Sequence, residues 1–257
     1  MEKLGELSAS IDLEKLEKKT EQIVPKTKAP EKVFCFTSIE QFSSAVEHSI
    51  KSWNDNSAES NFFIGLDGLP GSGKSSLISV FHDLADKTGI TLYVIPIDNF
   101  IQTDRGSPLR KEMTNDPELF WRLYYSQSAI IAVLENIKKH NGNSFELNLP
   151  KMYSRKTGKT GPGSISVPVG RKIILLEGVN STKFIHDLQQ ESGAEGLKVL
   201  IYAMPETALK RAVQRDTKNN RRSTEEAYEM RKAEYRHLVP VINGENSRKA
   251  DMIYLQT

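Results

Sequence analysis

Glycines, a lysine and three serines stand together in the stretch GLPGSGKSS, at residues 68–76. Residues 68–75 match the pattern G-x-x-x-x-G-K-[ST], in which glycines let backbone N–H groups close around phosphate oxygens. Lys74 would bring a positive charge to the outer phosphates, and Ser75 would offer its hydroxyl to Mg²⁺. A chance glycine-rich turn is disfavoured, because the stretch joins a predicted strand to a predicted helix. The pattern predicts a site for the phosphates of ATP with Mg²⁺.

Two carboxylates follow apolar runs further along the chain. Asp98 follows the run in IPIDNFIQ, and Glu177 follows the run in KIILLEGV. Because ligands of an open parallel sheet sit at the carboxyl ends of its strands, both side chains are expected in the cleft of the glycine loop. There Asp98 could take the proton of an attacking hydroxyl or touch Mg²⁺. The alternatives are an aspartate that caps a turn and a glutamate in a structural ion pair.

Four arginines lie within twelve residues in the last part of a predicted helix and just after it, namely Arg211, Arg215, Arg221 and Arg222. Guanidinium groups can neutralise the charge that spreads over a phosphoryl group during transfer. A mobile segment that closes over the nucleotide would deliver them. The alternative is a solvated basic helix end, because charge runs usually face water.

Cations also concentrate in segments 101–112 and 150–161, which are expected to frame a phosphate acceptor. If they face the cleft, they favour an acceptor that carries a phosphate or a carboxylate. Arg155 is the sharpest candidate, because its planar fork can bind either group with two hydrogen bonds. Phe100 and Tyr153 could stack on an acceptor ring. The equal alternative is two exposed loops whose cations are simply solvated.

The elements that must position these residues alternate along the chain. Apolar runs predict strands at residues 61–66, 91–97, 172–179 and 197–204. Helical patterns lie at residues 74–87, 117–140, 183–190 and 205–216. Nearly continuous apolar strands that alternate with helices indicate a parallel sheet covered on both faces. Residues 145–152 and 164–169 are expected to form an added hairpin.

Composition bounds the class of protein. The chain has 257 residues, 38% of them hydrophobic and 26% charged, with a net charge of +2. So small a charge gives no global attraction to nucleic acid. No run approaches the roughly 20 apolar residues of a membrane span, and no signal peptide is recognised. With Cys35 as its single cysteine, the chain is expected to be cytoplasmic, without nucleic-acid or membrane partners.

The first 30 residues differ from the rest. They carry a loose helical pattern of apolar residues and end in the extended stretch PKTKAP. We predict a helical arm and linker at residues 1–30 and one domain at residues 31–257. The sequence leaves open whether the arm packs on the domain, pairs with a second copy in a homo-oligomer, or stays free.

Together these motifs resemble the uridine kinase, phosphoribulokinase and pantothenate kinase family. The resemblance runs from about Phe62 to about Tyr254 and rests on GLPGSGKSS, IDNF, LLEGV, RDTKNNRR and ADMIY. It implies an α/β P-loop NTPase fold: an open, mostly parallel sheet flanked by helices, with an arginine-bearing lid at about residues 215–223. It also implies transfer of the γ-phosphoryl group of ATP, with Mg²⁺, to a hydroxyl of a small metabolite.

The resemblance assigns roles to the candidate residues. Asp98 matches the catalytic base of the family, Glu177 its metal- or substrate-binding glutamate, and Arg215 the start of its lid. The predicted catalytic residues are Lys74, Asp98, Arg215 and Arg222. The predicted nucleotide-binding residues are Gly68, Leu69, Pro70, Gly71, Ser72, Gly73, Lys74, Ser75, Ser76 and Arg211. The predicted acceptor-binding residues are Asp98, Phe100, Tyr153, Arg155 and Glu177, and the predicted metal ligands are Ser75, Asp98 and Glu177.

Some positions depart from uridine kinases. Their lid reads Arg-Gly-Arg where this chain reads Asn220, Arg221, Arg222. Their acceptor segment has a tyrosine-aspartate pair, whereas this chain has Tyr153 with no aspartate beside it. These departures argue against uridine as the acceptor. The alternative functions are a P-loop ATPase or nucleotide-dependent regulator that acts on a macromolecule, and a lapsed member that only binds nucleotide. Asp98 and the arginines favour a kinase over both.

Overall fold

The computed structural model describes residues 33–56, 60–218 and 223–256. The predicted arm and linker at residues 1–30 lie outside this part of the chain, as do Arg221 and Arg222. The strands are β1 (Phe34–Phe36), β2 (Phe62–Asp67), β3 (Thr91–Pro96), β4 (Phe145–Ser154), β5 (Lys159–Val167), β6 (Lys172–Glu177), β7 (Gly196–Tyr202) and β8 (Met252–Leu255).

Helices alternate with these strands. They are α1 (Ile39–Asn56), α2 (Lys74–Thr88), α3 (Pro108–Met113), α4 (Pro117–Leu123), α5 (Gln127–His140), α6 (Ser181–Ser192), α7 (Pro205–Lys218), α8 (Thr224–Val241) and α9 (Ser247–Lys249). A 3₁₀ turn (Ile97–Phe100) follows β3, and a π-helical turn (Ile242–Asn246) follows α8. Among the described helices, none is long and apolar enough to cross a membrane.

Six strands form one sheet in the order β1-β8-β7-β2-β6-β3, and every neighbouring pair is parallel. Helices cover both faces. Phe62 and Ile64 of β2 pack on one face with Phe42 of α1, and Phe63 packs on the other face with Ile130 of α5. Strands buried on both faces need apolar residues at nearly every position. The predicted parallel α/β sheet is therefore confirmed.

The helix predicted at residues 117–140 is broken in two. The break, Tyr124–Ser126, pairs with the chain after the 3₁₀ turn. Ser126 N donates to Phe100 O (2.9 Å), and Tyr125 forms a β-bridge with Ile101. The Ser126 hydroxyl then caps α5 by accepting from Ala129 N. This non-local pairing overrides the helical pattern and ends α4 at Leu123.

The predicted hairpin is present but longer than expected. Strands β4 and β5 pair antiparallel from Phe145 with Val167 to Ser154 with Lys159. The basic stretch at residues 154–163, expected to be a loop, thus forms the hairpin's tight turn and much of its second strand. Arg155 lies in that turn.

Candidate active site

A cleft of about 290 Å³ opens at the carboxyl ends of β2, β3 and β6. The glycine loop follows β2, Asp98 follows β3 and Glu177 ends β6, so parallel strands deliver all three to one edge of the sheet. The residues predicted for the site that line this cleft are Pro70, Gly71, Gly73, Lys74, Ser75, Ser76, Asp98, Arg155, Glu177, Arg211 and Arg215.

The glycine loop packs tightly on the protein itself. Gly71 and Gly73 have φ angles of +82° and +96°, which side chains rarely allow. A Cβ on Gly71 would lie 2.2 Å from the Ala208 carbonyl oxygen of α7, and one on Gly73 would lie 2.2 Å from Oε1 of Gln256. The glycines are therefore needed for packing against α7 and Gln256.

Lys74 is buried at the first position of α2. Its ammonium donates hydrogen bonds to the carbonyl oxygens of Gly68 (2.7 Å) and Leu69 (2.9 Å). Burial lowers the pKa of Lys74, while Glu177 and the other nearby carboxylates oppose that shift. The lysine thus stands inside the loop, and a phosphate at the loop would meet a positive charge there.

Asp67 anchors the base of the loop, although the sequence analysis did not single it out. This fully buried carboxylate accepts hydrogen bonds from Gly68 N (2.7 Å), Asn180 N (3.1 Å), Thr182 N and Oγ1 (3.2 and 2.6 Å) and Asn246 Nδ2 (3.0 Å). Burial raises its pKa, and the bonds from Thr182 and Gly68 oppose the rise. The sequence did contain a signal for Asp67, because a charged residue ends an apolar strand there. The same signal marked Glu177.

Asp98 is held by an arginine from the hairpin turn. Arg155 donates to Oδ2 of Asp98 from Nε (2.9 Å) and from Nη2 (2.8 Å), and Nη2 lies 3.8 Å from Oε2 of Glu177. Burial lowers the pKa of Arg155, but the two carboxylates outweigh it and keep the pKa above its usual value. Three predicted site residues from distant parts of the sequence therefore meet in one ionic cluster.

Two tyrosines from the break between α4 and α5 also line the cleft. Tyr125 lies with its hydroxyl 3.5 Å from Oδ1 of Asp98, and the rings of Tyr124 and Tyr125 meet edge to face. Burial raises the pKa of both phenols, so they stay protonated at neutral pH. Neither tyrosine was predicted, because residues 117–140 have the pattern of one continuous helix.

Arginines of α7 and α8 also line the cleft. Arg211 donates to Oε1 of Gln256 (3.1 Å), and Arg215 lies 3.3 Å from Asp216. Arg231, also on the cleft wall, pairs with Asp216 (2.7 Å) and with the buried Glu234. Arg231 was missed by the sequence analysis, and its signal was the charged i,i+3 pair with Glu234 on one helix.

No protein-family model matches the chain, and no curated protein sequence matches it. Several solved structures are similar to it in fold. A proposed fructose transport system kinase from Silicibacter sp. TM1040 is 16% identical, with a TM-score of 0.59, over 82% of this chain and 98% of that one. D-glycerate 3-kinase from Cryptococcus neoformans is 14% identical, with a TM-score of 0.51, over 77% and 87%. YFH7 from Saccharomyces cerevisiae, a proposed P-loop kinase, is 12% identical, with a TM-score of 0.51, over 86% and 100%.

The chain has the fold of the P-loop kinases. This likeness and the parallel sheet confirm the fold class expected from the motifs. In P-loop proteins the loop between the first nucleotide-binding strand and its helix cradles phosphates, which corresponds here to the loop between β2 and α2.

Five of the described residues that were predicted for the site do not lie on the cleft wall, and Gly68 at the start of the loop is one of them. Leu69 and Ser72 are buried within the loop, and the hydroxyl of Ser72 has no hydrogen-bond partner among the described residues. Phe100 and Tyr153 are 1% and 5% exposed and pack in the core. Tyr124 and Tyr125, which are also buried, line the cleft where Phe100 and Tyr153 do not.

The oxygen groups of the cleft suit a hard cation such as Mg²⁺. The Ser75 hydroxyl is exposed at the start of α2, and the carboxylates of Asp98 and Glu177 line the same cleft. Mg²⁺ in phosphoryl-transfer sites is commonly held by one or two protein oxygens together with phosphates and waters. The described residues contain no cluster of three or more His, Cys, Asp or Glu side chains placed to hold a metal.

Proposed function

We propose that the protein is an ATP- and Mg²⁺-dependent kinase that phosphorylates a hydroxyl group of a small metabolite. The observation that carries the proposal is the pairing of two chemistries in one cleft. On one side stand the P-loop and Lys74, and on the other stands Asp98, flanked by Arg155 and Tyr125. A carboxylate opposite a phosphate cradle is what an alcohol acceptor needs.

The proposed roles follow from these positions. Lys74, Arg211 and Arg215 neutralise the phosphates, and Arg222 is proposed to join them from the lid. Ser75 with Glu177 or Asp98 would hold Mg²⁺, which would neutralise the charge that develops on the phosphates.

Asp98 orients the acceptor hydroxyl and takes its proton. Because the transition state is loose, orientation contributes at least as much as proton removal.

The test measures ADP release with Mg²⁺ and ATP, alone and with each member of a panel of sugars, sugar phosphates, hydroxy acids and nucleosides. A kinase releases ADP mainly when an acceptor is present, whereas an ATPase does so without one. Lys74→Ala should lose at least about 10²-fold in rate, the scale of a lost transition-state donor. Lys87→Ala, an exposed lysine at the other end of α2, is the control. Equal rates in Lys74→Ala and the parent would defeat the proposal.

A further inference from the structure

Arg155 engages the carboxylate that the proposed kinase needs for its acceptor. Nε and Nη2 of Arg155 both donate to Oδ2 of Asp98, at 2.9 and 2.8 Å, and the Tyr125 hydroxyl lies 3.5 Å from Oδ1. Each oxygen of Asp98 therefore already faces a protein donor. An acceptor hydroxyl that approaches Oδ2 of Asp98 competes for it with the two guanidinium donors.

The ion pair is open enough to exchange. The Arg155 side chain is 52% exposed and the Asp98 side chain is 30% exposed. Exposed pairs contribute little net stability, so a ligand can take over one partner at a low energetic cost. A buried pair would resist such an exchange, because separation would leave an unpaired charge inside the protein.

The turn that carries Arg155 is fixed through other atoms. Asp104 Oδ1 accepts from Thr160 N (2.7 Å) and Oγ1 (2.9 Å), and Arg105 N donates to Gly158 O (2.7 Å). Nη2 of Arg105 also donates to the backbone oxygen of Arg155 (2.7 Å). The backbone is thus held while the guanidinium of Arg155 remains free to change partner.

These observations carry an inference that rests on the proposed kinase function. We propose that Arg155 is a specificity-determining residue that selects acceptors bearing a carboxylate or a phosphate. The acceptor's anion replaces the Asp98 carboxylate on the guanidinium fork, and Asp98 is released to bind the acceptor hydroxyl. A neutral acceptor has no anion to offer Arg155, so it has to break the pair without compensation.

The distances also limit the acceptor. Asp98 and Arg155 are in direct contact, so the hydroxyl on one and the anion on the other must lie close together. With hydrogen bonds of about 2.7–2.9 Å on each side, only a few covalent bonds can separate the two groups. A short hydroxy acid has this form, and so does a sugar phosphate whose reacting hydroxyl lies close to the phosphate that it already carries.

The test compares Arg155→Gln with the parent, with D-glycerate and fructose 6-phosphate as anionic acceptors and fructose and uridine as neutral ones. Lys156→Gln removes an exposed cation from the same turn and is the matched control. The KM for the anionic acceptor should rise about 10- to 100-fold in Arg155→Gln, the scale of lost charge-assisted hydrogen bonds. The KM for ATP should not change. D-glycerate carries a carboxylate and fructose 6-phosphate carries a phosphate, so the comparison of these two acceptors shows which anion Arg155 selects.

A second readout needs no acceptor. If Arg155 restrains Asp98, Arg155→Gln should hydrolyse ATP several-fold faster than the parent, because the freed carboxylate can orient water. Arg155→Lys keeps the charge but loses the fork, so it should recover only part of the acceptor affinity. Thermal melting should show that all three variants fold like the parent.

Failures of the two proposals look different. A parent that phosphorylates only neutral acceptors, with Arg155→Gln unchanged in acceptor KM and in ATP hydrolysis, overturns the role of Arg155 and leaves the kinase proposal standing. A parent that releases no ADP with any acceptor class, and does not differ from Lys74→Ala, defeats both.

Discussion

The two sides of the cleft are built in different ways. The proposed phosphate side comes mainly from one continuous stretch, residues 68–76, completed by Arg211 and Arg215. The acceptor side is assembled from the 3₁₀ turn after β3, the break between α4 and α5, and the hairpin turn. A contiguous loop can be kept while the assembled side changes, which under the proposed function would let nucleotide binding persist while the acceptor varies.

The largest expected effect separates the two sides directly. Asp98→Asn should lower kcat by about 10²- to 10⁴-fold, the scale of a lost general base, and leave the affinity for ATP unchanged. Steady-state kinetics and calorimetric titration of ATP measure the two quantities. Asp83→Asn, exposed on α2, is the control. If ATP affinity fell by the same factor as kcat, Asp98 would belong to the phosphate side, and the proposed difference between the two sides would be wrong.

Asp216 of α7 pairs with Arg215 on its own helix and with Arg231 on α8. It is 1% exposed, so Asp216→Asn should lower the free energy of unfolding at pH 7 by about 3 kcal/mol, as for other broken buried pairs. Urea denaturation measures this. Asp187→Asn, from the more exposed pair with Lys183, should cost less than about 1 kcal/mol.

The same residue predicts a pH dependence. Burial raises the pKa of Asp216, but Arg231 and Arg215 outweigh it and hold the pKa below its usual value. Its stabilising effect is therefore present above the unfolded pKa of about 3.9 and is lost as the pH falls through the lower folded pKa. The fall in unfolding free energy below about pH 4 should be shallower in Asp216→Asn than in the parent. Parallel curves would mean that Asp216 is not the group that titrates.

Gly71→Ala tests the packing of the phosphate side. The added Cβ would meet the Ala208 carbonyl at 2.2 Å in a backbone region unfavourable to alanine, so we expect a loss of about 1–3 kcal/mol in stability. ATP affinity should fall as well, because the loop has to move. Gly161→Ala is the control, since a Cβ there meets no described atom within 4 Å. A parent-like melting temperature would show that the loop tolerates displacement.

The smallest effect belongs to Tyr125→Phe on the acceptor side. Loss of the hydroxyl near Asp98 should lower kcat about 2- to 10-fold, the scale of one neutral hydrogen bond, with ATP affinity unchanged. Tyr93→Phe removes a hydroxyl that bonds to Ser166 O instead, and it should match the parent. If both variants match the parent, Tyr125 shapes the cleft without assisting Asp98.

The residues that could be predicted from the sequence lie mostly on strands and in the glycine loop, and those that could not lie where distant segments meet. Lys74, Asp98 and Glu177 could be predicted because each sits at a strand end or in a loop whose local pattern marks it. Tyr124 could not, because only the pairing of the break with Ile101 and neighbouring residues reveals that the helix stops. Arg231 lies on a helix whose approach to the cleft depends on packing. Short-range patterns thus predicted the strands and the phosphate side, and long-range contacts determined the rest.

The order of the strands has a consequence for how the protein is made. Strand β1 pairs only with β8 among the described strands, although nearly all of the described chain lies between them. The ring of Phe42 in α1 also packs on Tyr254 in β8, with centroids 5.2 Å apart. During synthesis, β1 and part of the contact surface of α1 must wait until β8 has left the ribosome. Until then the nascent chain exposes the edge of β7 and the part of α1 that packs on β8, so chaperone binding should concentrate on the chain before β8 emerges.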